Sequence, residues 1–85
     1  MNNDNDRSYP YSTSDLGCAS ALLAAGYAVK SIDKTNPKRA QFVFKPKTGI
    51  DKSANSYWEN KLRIKAKAMF DSIKYLKSRI YNQCG

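Results

Sequence analysis

"YAVKSIDKTNPKRAQFVFK", residues 27–45, decides the fold. Its first arm alternates well enough for a strand, with Tyr27, Val29 and Ser31 on one side and Ala28, Lys30 and Ile32 on the other. "KTNPK", residues 34–38, is a turn cluster, because Asn-Pro favours turn initiation. "RAQFVFK" is the second arm, with Phe42 and Phe44 on one face beside Ala40 and with Gln41, Val43 and Lys45 on the other. The pattern predicts a hairpin. Exposed aromatics beside basic residues form stacking platforms for single strands in some nucleic-acid-binding sheets. With only three Phe and one Trp, however, this chain needs its large side chains inside, so Phe42 and Phe44 are assigned to the core.

Upstream of the hairpin, "YPYSTS" (residues 9–14) places Tyr9 and Tyr11 on one face of an extended segment, and Pro10 suits an edge strand. A helix is expected from "TSDLG", with Thr13 or Ser14 as the cap and Asp15 in the first turn, favourable to the helix dipole. Its body, "LGCASALLAA", is small and apolar nearly all round, which marks a helix buried on more than one side and makes Cys18 a buried hydrophobe. Gly26 supplies the left-handed residue that ends it. The polar residues 1–8 are expected to form a disordered leader.

Downstream, Pro46 to Gly49 ends the strand, and Leu62, Ala66, Met69, Ile73, Leu76 and Ile80 recur at helical spacing. A break near Asn60 gives one helix over 50–59 and another over about 63–82, a single uninterrupted helix being the alternative. Tyr57 and Trp58 are expected to pack inside, and residues 83–85 to fray. The order is therefore β-α-β-β-α(-α). A helix between the first two strands makes them parallel, most simply with the third between them. The expected fold is an α+β, two-layer domain over residues 9–82, a three-stranded sheet with helices packed on one face.

Several chemistries are disfavoured. There is no histidine, which removes His-based acid–base catalysis and the usual zinc constellations. Cys18 and Cys84 form no metal or redox motif, and the four scattered glycines make no phosphate loop. The expectation is a protein that is not an enzyme and needs no cofactor or metal. The apolar-leaning run Leu16 to Val29 is too short to span a bilayer, and residues 1–8 do not resemble a signal peptide. With so few cysteines, a cytoplasmic protein without a membrane partner is expected.

Charge is the informative bulk property. Lys and Arg number 15 against 7 Asp and Glu, a net charge of +8. Residues 1–37 carry three bases and four acids, whereas residues 38–85 carry twelve bases and three acids. Such a segregated excess attracts nucleic acid, an anionic membrane or an acidic protein. Lys34, Lys38 and Arg39 cluster at the hairpin turn, and Lys45 and Lys47 leave its far end. If the last helix begins at 63, Arg63, Lys67 and Lys74 fall on one flank with Phe70 and Tyr81, and Lys61, Lys65 and Arg79 fall on the other. Between residues 61 and 80 only Asp71 interrupts the bases.

"YSTSDLGCASALLAAGY", "NPKRAQFVF" and "YWENKLRIKAKAMFDSIKYLKSRIY" together resemble a small bacterial and phage domain family of unknown function. The resemblance covers about residues 11–82, and in that family a small residue such as glycine often stands at the position of Asn60, which supports a helix break there. It implies no activity, but it fits an accessory protein of a phage or mobile element. Two functions are therefore expected to compete. One is sequence-blind binding of DNA or RNA through phosphate contacts from Lys34, Lys38, Arg39, Lys45, Lys47, Arg63, Lys67 and Lys74. The other is an inhibitor or adaptor docking on an acidic protein partner. A homodimer is compatible with both.

Overall fold

The aromatic strand is paired on both sides. In the computed structural model, which describes residues 9–36 and 38–81, β3 (Gln41–Phe44) lies between β1 (Tyr11–Thr13) and β2 (Val29–Asp33) and is antiparallel to each. The outer strands are consequently parallel to one another, as the intervening helix requires. α1 (Leu16–Ala24), α2 (Ile50–Trp58) and α3 (Ala66–Tyr81) complete the β-α-β-β-α-α order expected from sequence. The leader at residues 1–8, Pro37 in the turn, Cys84 and the tail at 83–85 lie outside the described residues.

Phe42 and Phe44 are buried together with Cys18, Ala19 and Leu22 of α1, Ile50 and Ala54 of α2, and Leu76 of α3. All the helices thus cover the face to which the two phenylalanines point. On the opposite face Ser12 and Ser31 flank Val43, and both serines are exposed. The sheet is two-sided in chemistry, apolar toward the helices and mostly polar away from them.

Strict alternation along β2 does not survive folding. Val29 pairs with Phe44 and Ser31 with Val43, so β2 advances two residues while β3 advances one, and Lys30 is the extra residue of a β-bulge. Past the bulge, Ile32 pairs with Phe42. Val29 and Ile32 therefore share the core face, although alternation placed them on opposite faces. Two phenylalanines on the central strand each need an apolar neighbour, and the bulge supplies both. Tyr27, at the entry to β2, is tied to α2 by a 2.9 Å hydrogen bond between its hydroxyl and that of Ser53.

The cap of α1 also differs from expectation. Thr13 is held in β1 opposite Phe42, so Asp15, not Thr13 or Ser14, caps the helix; its Oδ2 accepts from the Cys18 N–H at 2.7 Å. At the other end, Gly26 (φ 109°) donates to the Leu23 carbonyl and Tyr27 to that of Leu22, a Schellman closure that needs the left-handed backbone. Asn60 (φ 62°) ends α2 in the same manner, with Asn60 donating to the Tyr57 carbonyl and Lys61 to that of Ser56. The break is real.

Beyond the break the chain does not at once resume a helix. Residues 61–65 run outside any helix, with Lys61, Arg63 and Lys65 exposed and Leu62 and Ile64 half-buried between them. α3 starts only at Ala66, so Leu62 belongs to this non-helical segment and not to the stripe of α3. Trp58 is a further correction. It lies in the last turn of α2, edge-on to Tyr57 with ring centroids 5.0 Å apart, and is 60% exposed rather than packed inside. Tyr57 does pack against the core.

Gly17 tests this packing. A Cβ there would run into the Tyr57 hydroxyl. Overpacking costs about 1–3 kcal/mol, against about 1 kcal/mol of helix propensity gained when Ala replaces Gly. Gly17→Ala is expected to lower stability in denaturant titrations, whereas on a Tyr57→Phe background it is expected to be neutral or stabilising. Equal effects on both backgrounds would contradict the contact.

Candidate functional site

The turn between β2 and β3 is stiffened by its own side chains. The Asp33 carboxylate accepts from the Thr35 N–H at 2.9 Å, and the Asn36 side-chain oxygen accepts from the Lys38 N–H at 2.9 Å. The Arg39 N–H donates to the Asn36 carbonyl. Hydrogen bonds from Thr35, side chain and backbone, hold the Asp33 carboxyl below its usual pKa, so it is ionised and turned into the loop. Two successive Asx turns of this kind fix the direction of the chain without any ladder bonds.

The stiff turn meets the end of α3. The Lys34 ammonium donates to the carbonyl of Ile80 at 2.5 Å, at the negative end of that helix. Between them lies a groove of about 560 Å³ lined by Lys34, Lys38 and Arg39, by the polar side chains of Ser14 and Asn36, and by an apolar floor that includes Leu16, Phe42 and Ile80. Among the described residues no carboxylate lines it. Three cations and two neutral hydrogen-bonding side chains around a low-dielectric floor suit an anion carrying several acceptor oxygens.

The remaining predicted cations have three other settings. Lys45 and Lys47 are exposed where β3 ends, at the opposite end of that strand from Lys38 and Arg39. Arg63 stands on the non-helical segment and does not continue the α3 flank of Lys67 and Lys74, because the helix begins after it. Lys67 pairs with Asp71 at 3.0 Å, one turn along an exposed face. Lys74 sits over the Phe70 ring, 5.3 Å from its centroid.

Helical spacing puts Phe70, Lys74, Lys77 and Tyr81 in one stripe along α3. Phe70 and Tyr81 are both exposed, Tyr81 by 71%. Around the helix, Arg79 stacks on Tyr75 and donates to its hydroxyl at 2.6 Å. Sequence alone did not mark Ser14, Asn36 or Lys77 as binding residues. Asn36 was visible only as turn chemistry, and Ser14 only as a cap that Asp15 supplies instead.

Cys18 is fully buried in the core. Burial pushes its thiol up, and the Asp15 carboxylate adds to this, so it stays protonated at neutral pH. Burial likewise raises Tyr57, with Asp15 and Cys18 contributing. Among the described residues no group of His, Cys, Asp or Glu is placed to hold a metal ion, and no helix is long and apolar enough to cross a membrane.

A family model described as Domain of unknown function (DUF5659) matches residues 8–82. The chain belongs to that family. The match spans every element from β1 to α3, so the Lys34–Lys38–Arg39 groove, the Asn60 turn and the α3 stripe all fall inside the family domain. No curated protein and no solved structure matches the chain.

The exposed Trp58 gives a direct optical check. Native emission is expected to lie close to that of the unfolded chain and to be quenched readily by iodide, which the positive surface attracts. Trp58→Ala is expected to cost about 1 kcal/mol or less, within the range of surface substitutions. Emission strongly blue-shifted on folding would contradict its placement.

Proposed function

We propose that the chain is a non-catalytic nucleic-acid-binding protein that grips phosphates with little sequence preference. The observation that carries this reading is the convergence of Lys34, Lys38 and Arg39 with Ser14 and Asn36 in one groove that no carboxylate of the described residues lines. A single small anion needs no more than the groove. A strand of nucleic acid has a path onward, because the groove abuts the last turn of α3, where Tyr81 is exposed and Lys77 and Lys74 follow at helical spacing. Phosphate in the groove, further phosphates at Lys77 and Lys74, and a base against Tyr81 make a consistent arrangement. Nothing in this set reads base edges, so affinity rests on charge and stacking.

The reading predicts salt-sensitive binding. Anisotropy titrations of labelled oligodeoxythymidylate, the matching duplex and an RNA strand at several salt concentrations are expected to give log–log slopes of about −2 to −4, as three to five neutralised phosphates require. The double variant K38E/R39E is expected to weaken binding at least ~10-fold and to flatten the slope by about 2, near 1 per lost cation. K45E/K47E, with the same charge change at the other end of β3, is expected to have a much smaller effect. Slopes near zero, no binding at low salt, or equal losses in both double variants would refute the proposal.

A further inference from the structure

We infer that a second groove, near the start of α3, is a docking site for an acidic segment of a partner protein. This groove holds about 500 Å³ and is lined chiefly by Leu62, Ile64, Met69, Phe70, Ile73 and Tyr57. It exists because the Asn60 turn carries residues 61–65 out of any helix, so that the half-buried side chains of Leu62 and Ile64 line an open cleft together with α3, Tyr57 of α2 and Ala21 of α1. A cleft of that size takes more than one large apolar side chain. Phe70, on its edge, is 59% exposed.

Charge selects the occupant. The same non-helical run that half-buries Leu62 and Ile64 leaves Lys61, Arg63 and Lys65 exposed, and Lys67 stands on the adjoining turn of α3. Nearby acids are Glu59 and Asp71, each already within salt-bridge reach of one cation, at 3.7 Å to Lys61 and 3.0 Å to Lys67. Arg63 and Lys65 have no carboxylate partner among the described residues. An apolar floor inside a cationic rim complements a segment with apolar anchors flanked by Asp or Glu. It offers phosphates no polar floor. It also opposes a second copy of this chain, since two such rims would meet with like charge. The site is separate from the anion groove: Phe70 and Ile80 lie ten residues apart on α3, about 15 Å along the helix axis.

The test is a titration of the full chain, followed by ¹H–¹⁵N correlation spectra, with an amidated amphipathic peptide bearing Leu on one face and Glu on the other, and with its Lys-for-Glu counterpart. The Glu peptide is expected to shift the amides of Leu62, Ile64, Phe70 and Ile73, and to bind at least ~10-fold more tightly than the Lys peptide. R63E/K65E and Phe70→Ala, all at exposed positions, are expected each to weaken it several-fold, while K45E/K47E leaves it unchanged. The inference is overturned by shifts confined to the Lys34–Lys38–Arg39 groove, by equal affinity for the two peptides, or by loss of binding in K45E/K47E. It is also overturned if oleate occupies the groove more tightly than the peptide, or if sedimentation shows self-association that Phe70→Ala abolishes. Because the oligonucleotide titrations report on the other groove, either reading can fail while the other stands.

Discussion

Helix α1 carries five consecutive buried residues, Cys18, Ala19, Ser20, Ala21 and Leu22, and so is enclosed around its whole circumference. A surface helix turns polar every second or third residue; this one cannot, because the sheet lies on one side of it and α2 and α3 on the others. Small side chains let three layers of backbone close around it. Gly17 leaves room for the Tyr57 hydroxyl, and the alanines bring α3 within reach. Enclosure has a cost at Ser20, whose buried hydroxyl finds no hydrogen-bond partner among the described residues, an omission worth about 1–3 kcal/mol. The surrounding apolar burial has to offset it. Both grooves depend on this helix, since Leu16 at its start lines one and Ala21 in its middle lines the other.

With α1 taking up the interior, the aromatics that remain are pushed outward. Phe42 and Phe44 fill the space between sheet and helix, and little volume is left for Trp58, Phe70, Tyr75 or Tyr81. With Tyr9, five large rings are exposed among the described residues, more than solubility favours in so small a domain, and two of them lie in a stripe with lysines. Lys74 over Phe70 and Arg79 over Tyr75 show how the chain tolerates them in isolation, each ring partly shielded by a neighbouring cation.

Much of the fold was legible because it arises from local chemistry. Asn-Pro in "KTNPK" marks the turn, Gly26 the end of α1 and Asn60 the end of α2, and the placement of β3 between β1 and β2 comes from chain order alone. The features that were not legible depend on partners distant in sequence. Lys30 becomes a bulge only because Val29 and Ile32 must both meet phenylalanines of β3, which strand alternation by itself cannot reveal. Composition places Trp58 inside; its exposure results from α1 already filling the core. The non-helical run at 61–65 was hidden because Leu62 and Ala66 are spaced correctly for a helix, and the consequence was to credit Arg63 to the wrong surface.

That last displacement changes how the positive charge is used. On one uninterrupted helix the cations from Lys61 to Lys77 would form two basic flanks either side of the apolar stripe, both able to meet one polyanion. The Asn60 turn instead divides them, with Lys74 and Lys77 continuing toward the Lys34–Lys38–Arg39 groove and Lys61, Arg63 and Lys65 bordering an apolar cleft. Self-repulsion within a chain of net charge +8 favours such separation, since spreading like charges lowers their mutual energy. It also gives α3 two chemically unlike ends, one polar and cationic, the other apolar with a cationic rim. A glycine at position 60 would keep this arrangement, because glycine adopts the left-handed backbone at least as readily as asparagine does; a β-branched residue would oppose it by roughly 1–2 kcal/mol. The left-handed residue after α2 is therefore as much a determinant of the surface as of the fold.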